Sequence, residues 1–309
     1  MTAPLRVGLG ASAALRLEED SPLFRLAAEF APLLRRPEVE IVCVGATYDS
    51  LLVQGVLDDV RMTALPPARS GGVIHLAARV VPEQQAPPLD LVIYLLDPTD
   101  PITAFPEMQA LKRQCVVHGR PFLTNLRAAA EWCSLEWAAR DAGAAAASVA
   151  RWVRPDALAT ETIGLIAHDS QKRTMLDFAA MHRATLSRFG RRLATGTTGA
   201  LLNGEMPARL SAAEADKLRP LLPPAAPWVG RFQSGPRGGD AQIAVEVLDG
   251  RCHRLIFFED PHVPREHEAD IQLLERATRF APEGCLCIND IASAERWIGW
   301  IERLADAPA

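Results

Sequence analysis

Four short stretches between residues 164 and 290 carry the groups needed to hold an anion and move a proton. His168 and Lys172 stand four residues apart after an apolar run. If a helix begins there, both project from its first turn on one face, where free N–H groups and the helix dipole favour an anion. The alternative is a satisfied histidine near a helix cap and a solvated surface lysine. Thr195-Gly196-Thr197-Thr198-Gly199 offers three hydroxyls and two glycines that allow backbone N–H groups close to a phosphate, or is simply a threonine-rich tight turn. Ser234-Gly235-Pro236-Arg237-Gly238-Gly239-Asp240 is a glycine-dense turn ending in one carboxylate. Asp240 is read either as a base held in a fixed direction or as a cap of the following helix. His267 and Asp270, at i, i+3 spacing, can share a helix face and protons, or form a solvated helix end.

Those groups need a scaffold that delivers loops to one edge, and the hydrophobic pattern supplies it. Short apolar runs alternate with segments of helical period, the signature of an α/β protein with a mainly parallel sheet. In the second half, strands are expected over Ile163 to Ala167, Leu193-Ala194, Trp228 to Phe232, Leu255 to Phe258 and Cys285 to Ile288. A helix from Ser170 to Phe189 should end at Gly190 in the left-handed conformation, with His182 on its surface. A second helix is expected over Ala241 to Leu248.

The first half repeats this layout, which reads as a duplication. Ile93-Tyr94-Leu95-Leu96-Asp97-Pro98 parallels Ile256-Phe257-Phe258-Glu259-Asp260-Pro261, and Phe122-Leu123-Thr124-Asn125 parallels Leu286-Cys287-Ile288-Asn289. These landmarks set Ala11 opposite His168, Val73 opposite Asp240, Ala104 opposite His267 and Glu107 opposite Asp270. The expected architecture is two tandem three-layer α/β/α domains, residues 1–150 and 151–309. The first lacks the proton-transfer groups, leaving pairing, stabilisation or effector binding for it.

A chain of 309 residues is about right for two domains of roughly 150 residues each. Acidic residues outnumber basic ones, 38 to 33, and no basic run interleaves with aromatics, so nucleic acid is not an expected partner. No apolar run approaches a membrane span and the N-terminus lacks a signal-peptide pattern, so the expected location is cytoplasmic, without membrane association. The six cysteines form no C-x-x-C pair and read as reduced core residues; no metal site is expected.

Taken in order, A-H-D followed by lysine, T-G-T-T-G, S-G-P-x-G-G-D, F-F-x-D-P and the histidine and aspartate after it resemble methylglyoxal synthase, over about half the chain. The resemblance implies elimination of phosphate from dihydroxyacetone phosphate, with no cofactor. It implies phosphate contacts at Lys172, Thr197, Thr198, Ser234 and Gly235, and a cradle completed by His168, Thr195 and Gly196. Asp240 falls on the catalytic base, His267 on the histidine that contacts substrate oxygens, and Asp270 on a nearby carboxylate. It further implies a homo-oligomer, a trimer of two-domain chains in place of a hexamer, with inorganic phosphate as a possible inhibitor. Two departures stand out. Leu210 to Pro227 is longer than in single-domain members, and the basic residue of their C-terminal tail has no counterpart that can be placed. The same fold serves as the regulatory domain of carbamoyl phosphate synthetase, so the runner-up function is a non-catalytic effector-binding protein.

Overall fold

The computed structural model describes residues 3–57, 59–82, 86–205, 227–262 and 268–306, with side chains 268–271 and 305–306 left undescribed. It divides into two compact units, Met1–Val153 and Arg154–Ala309. The first contains β1 (Leu5–Ala11), β2 (Val39–Val44), β3 (Met62–Leu65), β4 (Leu91–Leu95) and β5 (Phe122–Leu123), in the sheet order β3-β2-β1-β4-β5. The second contains β6 (Thr162–Ala167), β7 (Arg191–Ala194), β8 (Gly230–Arg231), β9 (Arg254–Phe258) and β10 (Leu286–Ile288), in the order β10-β9-β6-β7-β8. Read from the other side, that is the same order, with the unit's first strand in the centre. All the described ladders are parallel.

β6 is buried along its whole length because helices cover both faces of the sheet, which is why Thr162-Ile163-Gly164-Leu165-Ile166-Ala167 shows a continuous rather than alternating apolar run. The helix Gly239–Leu248 presents Ile243, Ala244 and Val247 to a core that also holds Ile166, Leu193, Leu255, Phe257 and Leu274. It packs against the helix Glu268–Phe280. In a parallel sheet every strand delivers its following loop to the same edge, so the residues after β6, β7, β8, β9 and β10 form one rim.

The ladders correct the alignment of the two halves by one residue. Ala11 lies opposite Leu95 in β4, and Ala167 lies opposite Phe258 in β9. The next residues, Ser12 and His168, both donate their amides to those partners, to Leu95 O at 2.8 Å and Phe258 O at 3.1 Å. Ser12, not Ala11, therefore corresponds to His168. Likewise, the amide of Leu96 bonds Thr124 O and that of Glu259 bonds Asn289 O, so Asn289 corresponds to Thr124, and Asn125 to Asp290. Asn125 and Asp290 each cap the next helix through a side-chain oxygen, to the amides of Ala128 and Ser293. Val73 does correspond to Asp240, each being the second residue of a helix that follows a left-handed glycine, Gly71 at φ 87° and Gly238 at φ 89°.

Two local expectations also change. The helix after β6 is not continuous. A 3-10 turn over Asp169–Gln171 leads into Lys172–Met181, which breaks at His182 before Arg183–Leu186. His182 is buried, its ring nitrogens 2.7 Å from Glu295 and 2.9 Å from Glu302 on the helix Ile291–Asp306, so it ties two helices together instead of facing solvent. Gly190 is not among the positive-φ residues. A Cβ there would lie 2.1 Å from Ala159 O, so close backbone approach is what requires glycine.

Candidate functional site

His168 ends β6 and is held by β9. The amide of Asp260 donates to His168 Nδ1 over 2.8 Å, and the ring stands edge-on to Phe257, centroids 4.9 Å apart. Because an amide can only donate, Nδ1 carries no proton, and the imidazole is the neutral tautomer with its hydrogen on Nε2. This refines the expectation of a cationic pocket at His168 and Lys172: His168 is a neutral donor, and of the two only Lys172 carries charge. Lys172 follows the 3-10 turn, its ammonium paired with Asp169, and its side chain is 17% exposed against 96% for its partner. The site's cation is thus the better shielded member of the pair.

Asp260 is fixed in turn by the Ser170 hydroxyl at 2.6 Å and the His262 amide at 2.9 Å. Those bonds, the Ser170 one first, hold the Asp260 carboxyl below the usual carboxylate range. Sequence reading gave neither Ser170 nor the Asp260 side chain a role. At the neighbouring strand ends, buried Glu259 accepts from the side-chain amide of buried Asn289. A charged residue closing the apolar run Leu255 to Phe258 was the available signal for that pair, since buried carboxylates need partners.

The threonine loop and the glycine turn are pressed together. The Gly196 amide donates to Gln233 O at 2.7 Å, and a Cβ on Gly196 would lie 2.6 Å from the Ser234 nitrogen. Only glycine lets Thr195-Gly196-Thr197 lie against the chain entering Ser234. Thr195 and Thr198 are buried, and the Thr198 hydroxyl has no hydrogen-bond partner among the described residues. A buried hydroxyl left without a partner is costly, and an oxyanion at this loop would satisfy it.

Asp240 is positioned by the glycines before it. Ser234 opens a 3-10 turn over Gly235–Arg237, Gly238 takes the left-handed conformation, and a Cβ on Gly239 would lie 1.9 Å from Gln233 O. The turn closes with the Gly239 amide on Ser234 O at 3.0 Å. Asp240 then enters the first turn of its helix, 8% exposed. A Cβ on Gly235 would sit 2.7 Å from Asp240 Oδ2, so the carboxylate is lodged against the backbone at Gly235. Ser234, Gly235 and Asp240 are therefore one unit, and Gly196 attaches the threonine loop to it.

His267 lies outside the described residues, as does nearly all of Leu210 to Pro227. Asp270 belongs to the helix Glu268–Phe280, the neighbour of the helix carrying Asp240. All six cysteines are free, and among the described residues no cluster of His, Cys, Asp and Glu is suited to a metal ion. None of the described helices is long and apolar enough to cross a membrane.

Chemically, the rim assembles a neutral imidazole donor, an ammonium group, hydroxyls and a buried carboxylate on one sheet edge. That combination can cradle an oxyanion and remove a proton near it.

No family model matches the chain. It is 37% identical over 141 residues to methylglyoxal synthase of Cupriavidus taiwanensis, covering 46% of this chain and 90% of the relative. It is 34% identical over 143 residues to methylglyoxal synthase of Thermus thermophilus, covering 46% of this chain and 96% of the relative. Against the Ralstonia nicotianae methylglyoxal synthase it is 39% identical over 133 residues, covering 43% of this chain and 82% of the relative. Among solved structures, methylglyoxal synthase from Elizabethkingia anophelis NUHP1 matches at TM-score 0.32 and 24% identity, covering 48% of this chain and 80% of that one.

Proposed function

Because the chain belongs to the methylglyoxal synthase family, we propose that its second unit eliminates phosphate from dihydroxyacetone phosphate to give methylglyoxal, while its first unit performs no turnover. The match is assigned to the second unit because the motif residues fall between His168 and Asp270. The observation that carries the proposal is Asp240: a buried carboxylate, lodged against Gly235, on the same turn as Ser234 and tied through Gly196 to the threonine loop. A binding module needs the loops but not a carboxylate at that position.

In this reading Lys172, Thr195, Gly196, Thr197, Thr198, Ser234 and Gly235 receive the phosphate. Asp240 removes a proton from the hydroxymethyl carbon. The electron pair moves into the adjacent carbonyl, whose oxygen becomes an enediolate oxyanion. Neutral donors from His168 and His267 stabilise that charge as it develops, and Asp270 supports proton movement among the oxygens. Collapse of the enediolate breaks the carbon–oxygen bond to phosphate. Inorganic phosphate leaves against Lys172, and the remaining enol tautomerises to methylglyoxal.

The first unit lacks this base, since buried Val73 stands at the corresponding position. We attribute the two matching sheet orders to a tandem duplication in which that copy lost chemistry.

The test is incubation with dihydroxyacetone phosphate, following methylglyoxal and phosphate release together in the wild type and in Asp240→Asn. Equimolar release abolished in the variant supports the proposal. Phosphate binding without turnover in the wild type replaces it with the effector-binding alternative.

A further inference from the structure

The corrected register changes what the first unit retains. Ser12 and His168 are each followed by a 3-10 turn, Ala13–Leu15 and Asp169–Gln171, and the residues after those turns are Arg16 and Lys172. The cation of the second unit therefore has a counterpart in the first. Ser12 also keeps the structural task of His168, its hydroxyl accepting the Asp97 amide at 3.2 Å as His168 accepts that of Asp260. The loop geometry is retained too. The Gly45 amide bonds Pro66 O at 3.3 Å, as Gly196 bonds Gln233 O, and a Cβ on Gly72 would lie 1.9 Å from Pro66 O, as one on Gly239 would from Gln233 O.

Three differences separate the rims. Lys172 is neutralised by Asp169, but alanine occupies the corresponding position 13, and Arg16 has no carboxylate partner among the described residues. Its Nη1 rests on Ala46 O at 3.3 Å and Ser50 Oγ at 3.1 Å, which leaves the rest of the guanidinium fork for another acceptor. Phe257 corresponds to Tyr94, which adds a hydroxyl where the second unit has none. Tyr94 is 2% exposed as a residue, and its hydroxyl makes no hydrogen bond among the described residues, the oxygen itself reaching the protein surface. The ring lies across Gly10, where a Cβ would be 2.5 Å from Cε2, in the strand that leads to Ser12 and Arg16. Both the Asp100 and Arg16 charges act on this phenol, which burial first of all pushes up to about 12, so it stays a neutral donor. Asp100 is itself engaged as the cap of Pro101–Ala104, accepting the Ile102 amide. Finally, Val73 replaces the base.

We propose that the C-terminal edge of the first sheet is a second binding site, for a small phosphate-bearing anion, in which Arg16 supplies the charge and Tyr94 a hydroxyl, and whose ligand is not turned over. A guanidinium with no carboxylate partner and a hydroxyl with no hydrogen bond are groups an oxyanion satisfies. The choice of phosphate among oxyanions rests on the reading of the second unit's matching loops.

The experiment is equilibrium dialysis of the full chain against radiolabelled inorganic phosphate, with Arg16→Gln, Tyr94→Phe and Lys172→Gln alongside the wild type. The expected result is two phosphates per chain, falling to one in Arg16→Gln with turnover of dihydroxyacetone phosphate unchanged. Tyr94→Phe, which keeps the ring, should weaken one site by about tenfold. A stoichiometry indifferent to Arg16→Gln, or a lone phosphate removed by Lys172→Gln, overturns the proposal. A lone phosphate removed by Arg16→Gln and indifferent to Lys172→Gln upholds it and overturns the phosphate role of the second unit instead.

Discussion

The backbone amide of Asp260 donates to Nδ1 of His168 over 2.8 Å, which fixes the imidazole as its neutral Nε2–H tautomer at the edge of the sheet. Asparagine can place its side-chain oxygen where Nδ1 lies, so His168→Asn should keep the bond to Asp260 while moving the opposite donor. The expected outcome is an unchanged unfolding midpoint with kcat/KM for dihydroxyacetone phosphate reduced by about ten- to a hundredfold, the range for losing one hydrogen bond to a charged group. His168→Ala, which abandons Asp260 as well, should also lower the midpoint. Equal activity in wild type and His168→Asn would remove His168 from the substrate cradle.

Gly235 sets the position of Asp240. A Cβ there would sit 2.7 Å from Asp240 Oδ2, closer than contact allows, so Gly235→Ala must displace the carboxylate. Its φ does not lie in the left-handed region, so alanine brings no backbone strain. The variant should fold and yet lose about a hundredfold or more in kcat, comparable to misplacing a general base. Gly239→Ala is different, because its Cβ meets backbone at 1.9 Å and the whole turn must move. Circular dichroism and steady-state kinetics on both variants separate the two effects: the first should show normal spectra and low kcat, the second a loss in both.

How much of this was legible in the sequence depends on the range of the interaction. The strand β6 shows itself as an unbroken apolar run because both its faces are covered, and the Ser234–Asp240 turn shows itself through glycines that local geometry demands. Register was harder to read. Ala11 and Ser12 are both small and both buried, and only the bond from Ser12 to a strand eighty-odd residues away distinguishes them. That one-residue shift hid Arg16 as the counterpart of Lys172. The Ser170–Asp260 bond spans 90 residues and has no periodic signature. Gly190 was misread because a glycine at a helix end suggests a left-handed cap, whereas here the passing carbonyl of Ala159 excludes any side chain.

Asp260 supplies a pH signature. Its carboxyl is held below the ordinary range, chiefly by the Ser170 hydroxyl and then the His262 amide, so the folded value lies below the unfolded one. Its contribution to stability is therefore complete above the unfolded value of about 4 and is lost as pH falls through the lower folded value. Ser170→Ala removes the first cause and should shift the Asp260 titration upward, toward that ordinary value. Carbon-detected NMR titration of the side-chain carboxyl reads this directly. An unmoved titration in Ser170→Ala would show that the bond does not hold the anion.

Arg254 and Glu161 form an ion pair in which both side chains are 1% exposed. Arg254 starts β9 and Glu161 directly precedes β6, so the pair ties the central strand of the second unit to its neighbour at the end opposite the rim. The guanidinium also lies 5.7 Å from the Phe189 ring centroid and 6.0 Å from that of Trp297, and Arg154 approaches Glu161 at 3.6 Å. Removing one partner leaves a charge in a site that hydrates poorly, so Arg254→Met should cost about 3–5 kcal/mol, whereas Arg254→Met with Glu161→Met should recover most of it. Urea unfolding followed by tryptophan fluorescence measures both. A double variant no more stable than Arg254→Met would mean that the loss comes from packing against Phe189 and Trp297, and not from the broken ion pair. Because the pair lies away from His168 and Asp240, kcat per folded molecule should stay within about twofold of wild type in the double variant, as expected for distant sites.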